Sequence, residues 1–246
     1  MDKHGKDTLW ESPLYPYHEI ERIHNGLKKT YAMLKASGNL RIVEHKYIDR
    51  IDYCTFGNSN PFRIRIVNRL NDIYDYFYIK RADASRIYGL ELEEIFSPNQ
   101  VNYLVDDNTL VEEHIAGIPG DVFAKTRLDH PDYNPKRIAK EFVKFNERCK
   151  ITLLGDMRAY NFVMQITPDF EDFQFRLRAI DFDQQFYEGN FKVYMPQFFK
   201  ENLPYVELAM EHLTEKTVLQ YQQEELSSIM YQARSEKHRL KELRNE

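Results

Sequence analysis

The sequence predicts an α+β fold in two lobes: a small antiparallel β lobe with one helix, then a short, mainly helical lobe. Two contrasting patterns and the break between them predict it. From Leu40 to Lys80 apolar and polar residues alternate, as they do in half-buried antiparallel strands. From Pro196 onward the chain reads as helix. The cluster Gly117-Ile118-Pro119-Gly120 breaks regular structure between the two patterns and marks the expected boundary. The expected organisation is an N-terminal extension with a helix over 1–39, an N-lobe over 40–117 and a C-lobe over 118–246.

Each element has its own signal. Pro13 and Pro16 leave the first sixteen or so residues without regular structure. His18 to Ala36 reads as a helix, because Ile20, Ile23, Leu27, Tyr31 and Leu34 recur at helical spacing and Ser37-Gly38-Asn39 stops it. Asp52 to Phe56 and Phe62 to Val67 read as strands about the turn Gly57-Asn58-Ser59-Asn60-Pro61. Tyr74 to Lys80 is a third strand. Ala84 to Phe96 is a short helix ended by Ser97-Pro98. Residues 101–105 and 109–115 are two further strands around Asp106-Asp107-Asn108. Pro135 to Cys149 is a helix with Ile138, Phe142, Phe145 and Cys149 on one face. Its other face, with Lys136, Arg137, Lys140, Lys144 and Arg148, is expected to be solvated. Asn161 to Ile166 and Phe173 to Ile180 form a strand pair, and the highly charged last twenty or so residues are expected to fray.

Composition narrows the function classes. The chain has 246 residues, a net charge of −5, 42% apolar and 14% aromatic residues, which is globular and unlike a generic basic nucleic-acid binder. Cys54 and Cys149 lie far apart, and no Cys or His pair has zinc-ligand spacing, so a reduced thiol pair is expected. Met1 to Trp10 is polar, with no apolar leader, and no apolar run approaches the roughly 18–20 residues of a membrane span. The expected location is cytoplasmic, without membrane or nucleic-acid partners.

Three clusters carry chemistry. Lys80 ends an aromatic and apolar strand, where a cation needs a partner. In the following helix Glu91 falls within the stripe Ala84, Ile87, Tyr88, Leu92 and Ile95, while Glu93 points the opposite way, so Glu91 is the expected partner. The second cluster is L-L-G-D-M-R-A-Y-N-F-V, Leu153 to Val163. A loop there presents Asp156, able to accept a hydroxyl proton, and Asn161, whose oxygen is a hard ligand for a divalent cation. Arg158 supplies positive charge suited to an anionic phosphoryl group. The third is F-R-L-R-A-I-D-F-D, Phe175 to Asp183, a strand ending in the carboxylates Asp181 and Asp183.

Together, and in this order from Ile51 to Gln184, these residues resemble the protein-kinase-like superfamily, nearest its aminoglycoside phosphotransferase and choline kinase branch. The resemblance implies a two-lobed kinase-like fold and an ATP- and Mg²⁺-dependent phosphotransferase that moves the γ-phosphoryl group to a hydroxyl of a small molecule or a protein. Lys80 matches the strand lysine that contacts the α/β-phosphates, and Glu91 the helix glutamate paired with it. T-L-V-E-E-H-I-A-G-I-P-G, Thr109 to Gly120, looks like the family's strand and hinge, whose main chain from Glu113 to Ile115 would meet adenine. Asp156 matches the catalytic-loop Asp, Asn161 the metal-binding Asn and Asp181 the metal-binding Asp of the D-F-G-like triplet.

The sequence departs from that family at several points. Leu154 stands where the catalytic loop usually has His, the triplet reads D-F-D, and the phosphate loop keeps only Gly57. Only Gln184 to Glu246 follows the triplet, too little for the full helical subdomain of choline kinases. Three alternatives stay open: a pseudokinase acting as a nucleotide-binding or interaction module, an enzyme transferring AMP to a protein, and an unrelated α+β binding protein. Asp121, Asp129, Asp132 and Glu188 would make an acceptor pocket acidic. His114 is expected to be a packing residue.

Overall fold

The computed structural model describes residues 9–56, 58–170, 172–186 and 190–245. They form two compact units. Unit 1 takes in the described residues through Asp83 together with Val101–His114, and unit 2 takes in Ala84–Gln100 and the described residues from Ile115 onward. The division therefore differs from the one expected at Gly117. The first helix belongs to unit 1, and the helix after Lys80 belongs to unit 2.

Unit 1 is a six-stranded antiparallel sheet of β1 (Trp10–Glu11), β2 (Lys46–Cys54), β3 (Phe62–Asn68), β4 (Tyr74–Arg81), β5 (Tyr103–Asp106) and β6 (Thr109–Glu113), in the order β1-β2-β3-β4-β6-β5. Alternation gives the sheet two faces. Ile48, Ile51, Ile64, Ile66, Phe77 and Val111 form one core with Tyr31, Ala32 and Leu34 of α1 (Tyr17–Ala36). The helix ends where Ser37 and Gly38 turn left-handed, at φ 48 and 86. Burying this stripe makes α1 part of the unit 1 core, where the sequence suggested an extension. On β3, Arg63 and Arg65 alternate with the core isoleucines and stack on aromatic rings, Arg63 over Trp10 at 4.4 Å and Arg65 over Tyr74 at 4.3 Å. That stacking helps hold β1, in a stretch expected to be irregular.

Unit 2 is built on α2 (Ala84–Phe96), β7 (Ile118–Pro119), α3 (Gly120–Thr126), α4 (Pro135–Thr152), β8 (Phe162–Asp169), β9 (Asp172–Ala179), α5 (Leu203–His212), α6 (Glu215–Ser235) and α7 (Lys237–Asn245). The small sheet is antiparallel, in the order β7-β8-β9. The supposed breaker is thus structural. Ile118 and Pro119 pair with β8, and a Cβ on Gly120 would lie 2.2 Å from the Phe162 ring. The Tyr205 hydroxyl, fully buried, donates to the Gly120 carbonyl at 2.7 Å. Close approach is what requires glycine here.

Three expectations about unit 2 change for one reason: helices distant in sequence cover these surfaces. The basic face of α4 is not fully solvated. Arg148 is buried, its Nε 2.7 Å from Glu225 Oε1 on α6, and it also donates to Ser97 Oγ at 3.1 Å. Lys144 pairs with Glu224 at 2.9 Å. Helix α2 buries Arg86, Gly89, Leu90 and Glu93, so Glu93 faces inward and Glu91 is only half-buried. The C-terminal segment is helical through Asn245, and Arg239 of α7 binds α2. Both cysteines are free thiols, Cys149 buried and Cys54 half-buried. Among the described residues no helix is long and apolar enough to cross a membrane.

Candidate functional site

The loop after α4 is held by its backbone at nearly every step. Helix α4 stops at Leu153, left-handed at φ 56. Leu154, in the position where the resemblance expects His, is buried and bridges to Gln185. The N–H of Gly155 donates to the Gln184 carbonyl at 3.0 Å, and that of Asp156 to the Val193 carbonyl at 2.8 Å. Asp156 itself is left-handed at φ 53, a conformation that Asp tolerates better than most side chains. Asn161 Nδ2 donates to the Asp156 carbonyl at 2.8 Å, closing the loop on itself. Asn202, fully buried, donates to the Met157 carbonyl at 3.0 Å. The loop therefore holds Asp156 and Asn161 in a fixed relation.

Arg158 Nε donates to Asp156 Oδ1 at 2.7 Å, and its guanidinium lies 5.0 Å from the Phe199 ring centre. The hydrogen bond to the Asp156 carboxylate holds the Arg158 pKa above its ordinary value. Both side chains are partly exposed, so this is a positioned cation beside a positioned carboxylate.

The β8–β9 register brings the third group to the same place. Phe162 pairs with Ala179, and the Ile180 N–H donates to the Asn161 carbonyl at 3.0 Å. Asp181 is the next residue, so Asn161 and Asp181 occupy one end of one hairpin. The Asn161 amide nitrogen is committed to the loop, which leaves its oxygen as the ligand atom it can offer at the hairpin end that Asp181 follows. Two hard oxygens fit Mg²⁺, which takes one or two protein ligands and fills its shell with phosphate and water. Among the described residues no group of three or more His, Cys, Asp or Glu could hold a metal ion.

The triplet packs on α2. Phe182 is buried, and a Cβ on Gly89 would meet its Cβ at 2.8 Å. Ser85 Oγ donates to the Asp183 carbonyl at 3.0 Å and accepts from the Gln185 N–H at 3.0 Å. Arg86 lies 3.6 Å from the Asp183 carboxylate. Helix α2 thus fixes the course of the chain just beyond Asp181.

The expected Lys80–Glu91 pair is answered differently, each residue having a partner inside its own unit. In unit 1 Lys80 Nζ is 2.5 Å from Glu112 Oε2, both side chains largely buried. The register explains this: Tyr78 lies opposite Glu112 and Lys80 opposite Leu110, which makes Lys80 and Glu112 diagonal neighbours on one face. In unit 2 Glu91 accepts from Arg239 at 2.7 Å, and Glu94 shares the same guanidinium at 2.6 Å. The adjacent Glu113 faces the other side of the sheet, as strand alternation requires, 2.6 Å from Lys35. Burial raises the Glu113 pKa, but Lys35 and Asn102 outweigh it and hold the carboxyl below its ordinary value.

The proposed hinge is partly committed. The Glu113 N–H donates to the Asn102 carbonyl at 3.0 Å, and the His114 N–H to Tyr76 at 3.2 Å. Ile115 is buried. The His114 ring lies 3.2 Å from the Tyr78 hydroxyl and beside the Tyr76 ring, and burial lowers its pKa. Gly57 and Glu188 lie outside the described residues. Asp121 is paired with Lys125 at 3.1 Å and Asp132 lies 3.8 Å from His130, so two of the supposed acidic pocket residues have local partners. Glu112 is the residue the sequence reading passed over; strand diagonals were the signal that could have found it.

No family model matches the chain, and no curated protein matches its sequence. Among solved structures, it is similar to one titled "Titin kinase and its flanking domains", at 14% identity and a TM-score of 0.33. The match covers 58% of this chain and 27% of that one, so the chain spans well under two thirds of that structure.

Proposed function

We propose that the chain is a kinase-like phosphotransferase that uses ATP and Mg²⁺ to phosphorylate a hydroxyl of a small molecule or a protein. One observation carries this reading: the closed loop and the β8–β9 register bring Asp156, Asn161 and Asp181 to one end of one hairpin. In this reading Asn161 and Asp181 would hold Mg²⁺, which would supply positive charge to the phosphates. Lys80 contacts phosphate oxygens, and the main chain between Glu113 and Ile115 meets adenine. The acceptor oxygen forms a bond to the γ-phosphorus as the bond to the β–γ bridging oxygen breaks. ADP leaves, and the acceptor proton passes to Asp156. Arg158 steadies the transferring group. Positioning and fixed charge supply the catalysis.

A pseudokinase is the second reading, favoured by the 2.7 Å contact that already occupies one Asp156 oxygen. ADP release from Mg·ATP, measured across a panel of hydroxyl acceptors, separates the two. The enzyme reading expects acceptor-dependent turnover that falls at least about a hundredfold in Asp156→Ala, the typical scale of general-base loss. Nucleotide binding with no turnover that Asp156→Ala reduces would select the pseudokinase.

A further inference from the structure

Lys80 needs a carboxylate to hold it, and the question is which one does. A lysine ammonium has three donors on a flexible stem, so its direction is set by its neighbours. The side chains of Lys80 and Glu112 are 14% and 8% exposed, and they lie 2.5 Å apart. Their relation is built into the sheet by the β4–β6 register. Moreover, Glu112 Oε1 is buried and has no hydrogen-bond partner. A carboxylate with one oxygen on Lys80 and the other unpartnered is an incomplete arrangement, and burial makes it costly unless something else completes it. Glu91, by contrast, has a cation on its own unit, since Arg239 donates to it through both Nε and Nη2 at 3.1 and 2.7 Å.

We propose that Glu112, a strand residue, is the positioning residue for Lys80, directing the ammonium toward nucleotide phosphate from within the sheet, and that Glu91 does not serve this purpose. The inference rests on the phosphotransferase reading and names the carboxylate that prepares its lysine. One Lys80 donor is committed to Glu112, which leaves two for phosphate oxygens. Because the pair belongs to adjacent strands, the lysine is set before any nucleotide arrives.

The test measures dissociation constants for Mg·ATP and for adenosine, on wild type, Lys80→Met, Glu112→Gln, Glu91→Gln and the Lys80→Met/Glu112→Gln double variant. The expected result is a weakening of ATP binding by about tenfold in Glu112→Gln, as for loss of one charge-assisted contact. Adenosine affinity stays unchanged, because adenosine has no phosphate, whereas a general loss of structure would weaken both ligands. Glu112→Gln adds nothing in the Lys80→Met background, since Glu112 acts through that lysine. Glu91→Gln binds as wild type does. If Glu112→Gln does not fold, Glu112→Asp replaces it. It keeps the charge but withdraws it by one methylene, and the expected loss is smaller and still confined to ATP. Wild-type ATP affinity in the Glu112 variant, or an ATP-specific loss in Glu91→Gln, overturns the assignment while leaving the phosphotransferase reading intact. A wild-type chain that binds no ATP overturns both.

Discussion

Two buried ion pairs of similar exposure behave as opposites. In unit 1 Lys80 pairs with the carboxylate of Glu112, whose second oxygen has no hydrogen-bond partner among the described residues. In unit 2 Arg148 joins Glu225 of α6 and Ser97 beyond α2, with Glu93 also acting on its charge, and no buried oxygen of Glu93, Glu141 or Glu225 lacks a partner. Burial works against the Arg148 charge, yet Glu93, Glu225 and Glu141 outweigh it and hold the pKa above its ordinary value. The completed network ties three helices together. The pair in unit 1 is left incomplete, with Glu112 Oε1 buried and without a hydrogen-bond partner.

The largest effect that could break this contrast is Arg148→Met. Removing the guanidinium leaves carboxylates buried without their cation, a loss of about 3–5 kcal/mol. At roughly 2–4 °C per kcal/mol for a chain of this size, the melting temperature should fall by about 6–20 °C. Thermal unfolding checks it, and a shift of only a degree or two would mean the network is not what joins α2, α4 and α6. Next in size is Gly120→Ala. Its Cβ would be driven into the Phe162 ring, at about 1–3 kcal/mol for overpacking. The same melting experiment reads it, and a neutral result would return the segment to its sequence reading as a simple break.

A pH titration sharpens the contrast further. Burial raises the Glu93 pKa above its ordinary 4.5 despite Arg148. Above 4.5 and below its raised native pKa, Glu93 keeps in the native state a proton that the unfolded chain releases, so wild-type stability falls as pH rises from 4.5 through the native pKa. Glutamine has no such proton. The melting temperature of Glu93→Gln, relative to wild type, should therefore climb as the pH rises above about 4.5, until Glu93 is ionised in the native state as well. A constant offset would place Glu93 as an ordinary ionised partner of Arg148. The smallest effect belongs to Arg239→Ala. Its guanidinium is one-third exposed, so losing its bonds to Glu91 and Glu94 should cost at most about 1 kcal/mol.

The same comparison explains what the sequence discloses. Strand pairing follows alternation, and Ile64 and Ile66 against Arg63 and Arg65 give both faces of β3 correctly. Hairpin register then carries Asn161 toward Asp181, so that part of the candidate arrangement is legible as soon as β8 and β9 are recognised. Helix burial is different. A helical wheel assumes one buried side, but α2 is covered by Phe182 at Gly89 and by the Arg148 network at Glu93. Of its apolar stripe, Leu92 and Ile95 are buried, while Ala84, Ile87 and Tyr88 line a cavity with Glu91 and Arg239. The partners Glu225 and Arg239 come from helices more than seventy residues from the groups they meet, and periodicity within one segment holds no information about them.

The most direct test of the central claim is a thermal-shift titration of ATP with and without Mg²⁺, on wild type and Asp181→Asn. At about a hundred times its dissociation constant a ligand adds roughly 2.7 kcal/mol, which is a rise of roughly 5–10 °C for a chain of this size. The account predicts a Mg²⁺-dependent rise in wild type that Asp181→Asn largely loses. Equal shifts with and without Mg²⁺, unaffected by the substitution, or no shift at all, would contradict it.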